Sequence, residues 1–348
     1  MNRLSELIDI KKIVIKNQLN IKNHKLQENY IRVKIRATGI CGSDLSYFKN
    51  GGLGSHKIKF PMTMGHEPSG EVLLSNNSNF QKGDRVAIEP NLPCIFFNNE
   101  SYCSCDSRFN LCLDSKFLGS YNCEGTFQDE IDVHVSQLLK INHNTSFEEA
   151  TILEPFSVAL HSFNKLKFQI GMKVAILGGG PIGICLAIIA KISGASEIII
   201  FEKLSYRSDF IQNNLGFKTI CTNQNSEDVI LRHRNSFHVV FDAAGKEETF
   251  NQALILARPG SFFCLVGIPV YDTLKYNPHI ARIKELTIAN TRRSNNCLHR
   301  SYDIFIEKKL PFSKIITHRF DLNYIQEAFI MNSDYSNSVM KTVIVNEN

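Results

Sequence analysis

One ten-residue stretch, Val174-Ala-Ile-Leu-Gly-Gly-Gly-Pro-Ile-Gly183, constrains the fold more than any other part of the chain. Lys173-Val-Ala-Ile-Leu177 is a short apolar run suited to one buried strand. The glycines at 178, 179, 180 and 183 permit a tight turn, and the apolar stretch that follows to about Ser193 reads as a helix. The pattern then repeats. Glu197-Ile-Ile-Ile-Phe201, Phe237-His-Val-Val-Phe241 and Ser261-Phe-Phe-Cys-Leu-Val266 read as strands with helical stretches between them, and Thr287-Ile-Ala-Asn290 closes the set. Strands alternating with helices imply an α/β fold with a parallel, doubly wound sheet.

The first half has a different texture. Ile31-Arg-Val-Lys-Ile35 alternates apolar and polar residues, as a half-buried strand does. Gly70-Glu-Val-Leu-Leu74 and Arg85-Val-Ala-Ile88 read as further short strands separated by Asn/Gly turns. Ser146, followed by Glu148 and Glu149, reads as a helix start. His318-Arg-Phe320 and Lys341-Thr-Val-Ile344 return to β texture. The 348 residues are enough for two domains. The expected division is a mostly-β domain of residues 1–157, with 295–348 returning to it, and a doubly wound domain of residues 158–294.

Composition works by exclusion. The net charge is +5, but the basic residues are scattered among acids. The densest groups, Arg232-His233-Arg234 and Arg292-Arg293, are not polybasic runs, so neither nucleic acid nor a membrane is expected as a partner. Charges interrupt Met1–Ile15, which makes a poor signal peptide. The most apolar stretch, Val174–Ala190, carries four glycines and a proline near its start, unlike a membrane span. Ten cysteines would suit a disulfide scaffold, but the clustering of four between 94 and 112 fits a cytoplasmic protein with metal thiolates.

Two constellations carry chemistry. Cys41 lies in Gly39-Ile-Cys-Gly-Ser-Asp44, and His66-Glu67 lie in Gly65-His-Glu-Pro-Ser-Gly70, with twenty-four residues between cysteine and histidine. Sulfur, imidazole nitrogen and carboxylate oxygen are ligands that zinc prefers, and three protein ligands leave a fourth tetrahedral position open for chemistry. The loop Gly178-Gly-Gly180-Pro-Ile-Gly183 lets a pyrophosphate approach backbone N–H groups at a helix N-terminus, where the dipole favours anions. Glu202 ends the next strand, nineteen residues after Gly183. An acid there hydrogen-bonds ribose hydroxyls and repels a 2′-phosphate, which favours NAD, while Lys203 and Arg207 leave NADP open. A Lewis acid and a hydride carrier in one chain suggest alcohol oxidation.

At this point the chain resembles a zinc-dependent medium-chain dehydrogenase of the alcohol dehydrogenase superfamily, most similar to its sorbitol (polyol) and idonate dehydrogenase branch. The resemblance runs from about residue 28 to the C-terminus. It rests on Thr38-Gly-Ile-Cys-Gly-Ser-Asp44, Phe60-Pro-Met-Thr-Met-Gly-His-Glu67, Leu153-Glu-Pro-Phe-Ser-Val-Ala-Leu-His161 and Arg258-Pro-Gly-Ser-Phe262. It implies a GroES-like, mostly-β catalytic domain joined to a Rossmann domain, and assembly as a homodimer or homotetramer. It also implies that Cys41 and His66 bind catalytic zinc, that Glu67 is the third ligand, and that Glu154 approaches the metal directly or through its water. Ser43 would receive the alcohol proton, or else serve as a turn residue beside Asp44. Tyr47 would touch substrate, or else pack as a plain aromatic. The family commonly has a histidine before this tyrosine, and here Ser46 stands instead, so a relay through that histidine cannot be invoked.

Cys94, Cys103, Cys105 and Cys112 resemble the four ligands of the family's structural zinc lobe, but the spacing is altered, with Ile95-Phe-Phe-Asn-Asn-Glu100 in the first gap. Two states stay open: a closed zinc tetrahedron, or a lobe of free thiols. The resemblance places Ile182 under the pyrophosphate and Val266, Gly267 and Ile268 beside the nicotinamide. It sets Arg292 at the cofactor and Arg293 against substrate hydroxyls; surface charge is the other reading of both arginines. The expected activity is hydride transfer from a secondary alcohol of a polyol, sugar acid or cyclitol to NAD, with zinc (Zn2+) in the catalytic site. A threonine- or simple-alcohol-type zinc dehydrogenase and a non-enzymatic nucleotide-binding member are the alternatives.

Overall fold

The computed structural model describes residues 2–18, 25–97, 103, 105–224 and 226–346. By contacts the chain divides into Met1–Glu154 with Leu298–Asn348, and Pro155–Cys297. The expected boundaries at 157/158 and 294/295 each lie three residues from these. The first division falls inside the helix Leu153–Asn164, which a reading of sequence texture has no means of cutting.

The first unit is built on a seven-stranded sheet among the described residues. Its order is Leu138–Lys140, Arg85–Ile88, Glu67–Ser75, Tyr30–Gly39, Lys341–Val345 and Ile316–Asp321, with Glu130–His134 pairing onto Tyr30–Gly39. The long strand Tyr30–Gly39 sits centrally because its alternate residues Ile31, Val33, Ile35 and Ala37 are all buried. Ile31, Val33 and Ile35 meet Val72, Val86, Ile88, Ile131 and Val133 in one core. The register then fixes the site. Gly39 lies opposite Glu67 on one side and Val343 on the other, both antiparallel. Past Gly39 the chain turns into the helix Gly42–Asn50, with Cys41 as its N-cap.

The charges that interrupt Met1–Ile15 conceal an antiparallel hairpin, Asn2–Asp9 with Lys12–Gln18. Leu4, Leu7 and Ile13 point inward. Arg3 is buried as well, its guanidinium bound to Asp129 at 2.9 Å and Asp321 at 3.0 Å, so its charge misleads a pattern reading.

The second unit holds a six-stranded sheet, parallel throughout, in the order Lys218–Cys221, Glu197–Glu202, Lys173–Leu177, Phe237–Asp242, Ala257–Leu265, Thr287–Asn290. This is the doubly wound nucleotide-binding arrangement, with its switch point between Lys173–Leu177 and Phe237–Asp242. Ala175, Leu177, Ile199, Phe201, Val240 and Phe263 form the core beneath Phe250 and Leu254 of the helix Glu247–Leu256. Lys218–Cys221 escapes a sequence reading because Lys-Thr-Ile-Cys carries too little apolar pattern.

The C-terminal end of the helix Glu247–Leu256 is closed by a buried lysine. Lys284 Nζ donates to the carbonyls of Leu254 (2.6 Å), Ile255 (3.1 Å) and Ala257 (2.7 Å). Lys284→Met leaves these acceptors without their donor. The expected loss is about 1–3 kcal/mol, read as a lower urea midpoint with an unchanged slope.

Candidate metal centre and nucleotide-binding loop

Cys41, His66 and Glu67 each offer one ligand atom within 4.8 Å of the others. Their meeting follows from local structure. Glu67 opens the strand that pairs with Tyr30–Gly39, and Cys41 lies two residues beyond Gly39 in extended backbone (φ −98°, ψ 158°). His66 and Glu67 are buried and Cys41 is partly exposed.

A fourth residue, Asp44, ties the two ligand-bearing segments together. Its side chain is fully buried. Oδ2 accepts the Cys41 backbone N–H at 3.0 Å, and Oδ1 accepts the Gly65 N–H at 3.3 Å. Oδ1 also faces His66 Nδ1 at 3.4 Å. On its other side, His66 Nε2 stands 3.4 Å from Ser43 Oγ. A carboxylate behind one imidazole nitrogen sets the ring's orientation and leaves the other nitrogen for a metal. Burial alone would pull His66 down, but Asp44 and Cys41 outweigh it and hold the imidazole well above its ordinary value. A metal ion bound by this ring takes the place of that proton. A sulfur, nitrogen and carboxylate set of this kind fits zinc by donor chemistry.

Two further charged groups face this set. Glu154 is buried but stands outside the converging ligand atoms. Burial pushes its carboxyl up to about 8; His66 and Lys341 pull it down, and Glu67 and Glu89 push it further up. Lys341 is bonded to Glu67 Oε2 and donates to the Ile40 carbonyl at 2.9 Å. Sequence reasoning saw only a lysine at the start of a strand, because nothing in Lys341-Thr-Val-Ile344 tells which way that side chain points. Asp44 carried a signal, its place three residues after Cys41, but no pattern assigns it the second segment. Tyr47 packs, half-buried, against the apolar cluster that includes Ile40, Phe48 and Met62.

The cysteine lobe gathers Cys94, Cys103, Cys105 and Cys112 into one cluster. Cys94, Cys103 and Cys112 bring their sulfurs within 4.8 Å of one another, and Cys105 is not part of that group. Its Sγ lies 2.8 Å from Cys103 Sγ, within the same cluster. None of them forms a disulfide, and burial first, then neighbouring thiols, pushes Cys94 up to about 12. The inserted segment Ile95–Glu100 lies partly outside the described residues.

In the second unit the glycine loop follows the strand Lys173–Leu177 at the switch point. Gly178 takes φ +100°, and a Cβ on Gly183 would stand 2.0 Å from the Gly178 carbonyl oxygen, so the turn admits only glycine there. Gly180 caps the helix Pro181–Ile192, whose proline occupies a position that needs no N–H. Ile182 is half-buried in its first turn. Glu202 is buried, with Oε2 accepting the Gly179 N–H at 2.6 Å and Oε1 the Leu204 N–H at 2.8 Å. Arg207 reaches over the turn, its Nη1 3.7 Å from where a Gly180 Cβ would stand. Val266 and Gly267 donate their N–H groups to the Asp242 carbonyl at 2.9 and 2.8 Å, and Ile268 is exposed. Asp242 is a further residue that the sequence reading missed. It is fully buried and accepts the N–H groups of Ala244 (2.9 Å) and Gly245 (3.0 Å), shaping the loop beside Gly178. Arg292 is exposed, and Arg293 is half-buried with φ +53°.

Comparison with known proteins agrees with this geometry. Residues 27–143 match the family described as "Alcohol dehydrogenase GroES-like domain", and residues 181–307 match "Zinc-binding dehydrogenase". L-idonate 5-dehydrogenase of Vitis vinifera is 32% identical over 89% of this chain and 86% of its own. Sorbitol dehydrogenase of Bacillus subtilis is 28% identical, covering 97% of both chains. The crystal structure of L-idonate 5-dehydrogenase from Escherichia coli superposes with a TM-score of 0.89 at 24% identity, over 99% of this chain and 98% of that one, and shows the shared fold. Among the described residues no helix is long and apolar enough to cross a membrane.

Asp44→Asn keeps the side chain's shape and removes its charge. Metal retention against a competing chelator is expected to weaken about 10- to 100-fold, measured by metal content at graded chelator concentrations.

Proposed function

The chain belongs to the zinc-dependent medium-chain dehydrogenase family, and on that premise we propose that it oxidises a secondary alcohol of a polyol, sugar acid or cyclitol with NAD. It is an enzyme of the alcohol and polyol dehydrogenase type. The observation that carries the reading is the convergence of Cys41, partly exposed, with buried His66 and Glu67 in one group. The names of its relatives support the substrate class: one acts as a sorbitol dehydrogenase and another as an L-idonate 5-dehydrogenase.

Zinc held by these residues supplies a Lewis acid that lowers the proton affinity of an alcohol oxygen. A bound nicotinamide supplies the hydride acceptor. The chain's own part is to bind, orient and handle the proton. Ser43 Oγ, beside His66 Nε2, is the group we assign to accept the hydroxyl proton. Ser46 does not extend that path, because its hydroxyl donates back to the Gly42 carbonyl at 3.1 Å. Glu154, buried next to the ligand set, is assigned to hold a neighbouring substrate hydroxyl. In the second unit, the Gly179 and Leu204 N–H groups hold the Glu202 carboxylate at the strand end, where ribose hydroxyls bind in this fold. That arrangement favours NAD. Arg207 beside Gly180 and the exposed Lys203 are the features that would serve NADP.

A panel of polyols, sugar acids and cyclitols assayed for NAD reduction tests the reading. At least one is expected to be oxidised, and Cys41→Ser is expected to lose both that activity and one zinc per chain. Undiminished turnover in Cys41→Ser would refute the assignment. Glu202→Ala is expected to shrink the NAD over NADP preference in kcat/KM by about 10- to 100-fold, the worth of a charge-assisted hydrogen bond. An unchanged ratio would remove Glu202 from cofactor selection.

A further inference from the structure

Glu67 is committed twice. It supplies the carboxylate of the converging set, and its Oε2 is bonded to Lys341 Nζ. Lys341 and Glu67 are each only 1% exposed at the side chain. An ammonium in such surroundings carries a desolvation penalty of several kcal/mol unless it is paired and hydrogen-bonded. Lys341 meets that condition with two anchors, Glu67 Oε2 and the carbonyl of Ile40, the residue before Cys41. Its hold on the site is therefore two-sided, touching one expected ligand and the backbone of the segment that carries another.

The sheet register makes room for this pair. Gly39 lies between Glu67 and Val343 across the two neighbouring strands. A Cβ on Gly39 would stand 2.1 Å from Glu67 Oε2 and 2.9 Å from Lys341 Cε. The absent side chain is the space in which carboxylate and ammonium meet. A carboxylate can bind a metal through one oxygen or through both, and the difference matters for a dehydrogenase. Cysteine, histidine and one carboxylate oxygen leave a tetrahedral position open, whereas a second oxygen from the same carboxylate would fill it.

We infer that Lys341 is a positioning residue of the metal centre, which holds Glu67 Oε2 from behind so that only Oε1 reaches the metal and the substrate position stays open. The inference rests on the reading of Cys41, His66 and Glu67 as metal ligands. Gly39 belongs to the same device, since it permits the contact that Lys341 makes.

Cobalt substitution of the full-length enzyme tests this, because the intensity of the cobalt d–d bands reports coordination geometry. Spectra are taken as differences against Cys41→Ser in the same background, which removes cobalt bound elsewhere. The native enzyme is expected to show the intense bands of four-coordinate cobalt. Lys341→Met is expected to lose much of that intensity as Glu67 turns both oxygens to the metal, and Lys341→Arg to retain it. Gly39→Ala keeps both charged residues and forces them apart, so it is expected to lose intensity too, and it serves if Lys341→Met does not fold. Unchanged bands in a folded Lys341→Met or Gly39→Ala enzyme overturn the inference. A loss in Lys341→Met that Lys341→Arg does not restore overturns it as well, since general packing support would then suffice. A native spectrum with no Cys41-dependent component contradicts instead the metal reading on which it rests.

Discussion

The hydrogen bonds of one buried carboxylate hold the centre together. Asp44 accepts the backbone N–H of Cys41 through one oxygen and that of Gly65 through the other, and it faces His66 Nδ1. Cys41 and His66 come from segments that have no covalent reason to meet. A fully buried carboxylate is unfavourable unless its lone pairs are used. Here they are used on the two segments whose relative position decides whether a metal can be bound at all. Ligands held before the ion arrives need not be ordered when it does, and this preorganisation is what a catalytic centre needs.

The same region shows why a cation belongs there. Deprotonated for metal binding, Cys41 would join the carboxylates of Asp44 and Glu67 as a negative group. Two basic groups face them, His66 beside Asp44 and Lys341 on Glu67. Burial opposes a charged Lys341, yet Glu67, Cys41 and Glu154 outweigh it and keep the ammonium charged. Lys341, bonded to Glu67, offsets part of the negative charge. An ion placed among the three ligands neutralises the remainder.

Much of the second unit was legible because its strands are continuous apolar runs. Lys173–Leu177 and Glu197–Glu202 fall where their composition puts them. Lys218–Cys221 was not, since it gains its strand character from pairing with Glu197–Glu202 rather than from its own residues. In the first unit, the alternation in Ile31–Ile35 announced a strand, while the N-terminal hairpin stayed hidden behind Arg3, whose charge is paired inside. The candidate ligands announce themselves by residue type and spacing. Their supports do not. Asp44, Gly39 and Lys341 act through cross-strand register and side-chain direction, which depend on residues far away in the chain. Four cysteines close in sequence left a zinc tetrahedron and a lobe of free thiols both open, and the four do pack into one cluster, with the sulfurs of Cys94, Cys103 and Cys112 within 4.8 Å of one another.

The central claim is that Cys41, His66 and Glu67 hold one zinc ion, with Glu67 contributing a single oxygen. A crystal structure of the enzyme, with diffraction recorded on both sides of the zinc absorption edge, tests it most directly. The account predicts an anomalous peak about 2.3 Å from Cys41 Sγ and about 2.0–2.2 Å from a His66 nitrogen and one Glu67 oxygen. Lys341 should remain on the other oxygen. A peak coordinated by Glu154 in place of Glu67, or no peak at Cys41 while the cysteine lobe is filled, would contradict it.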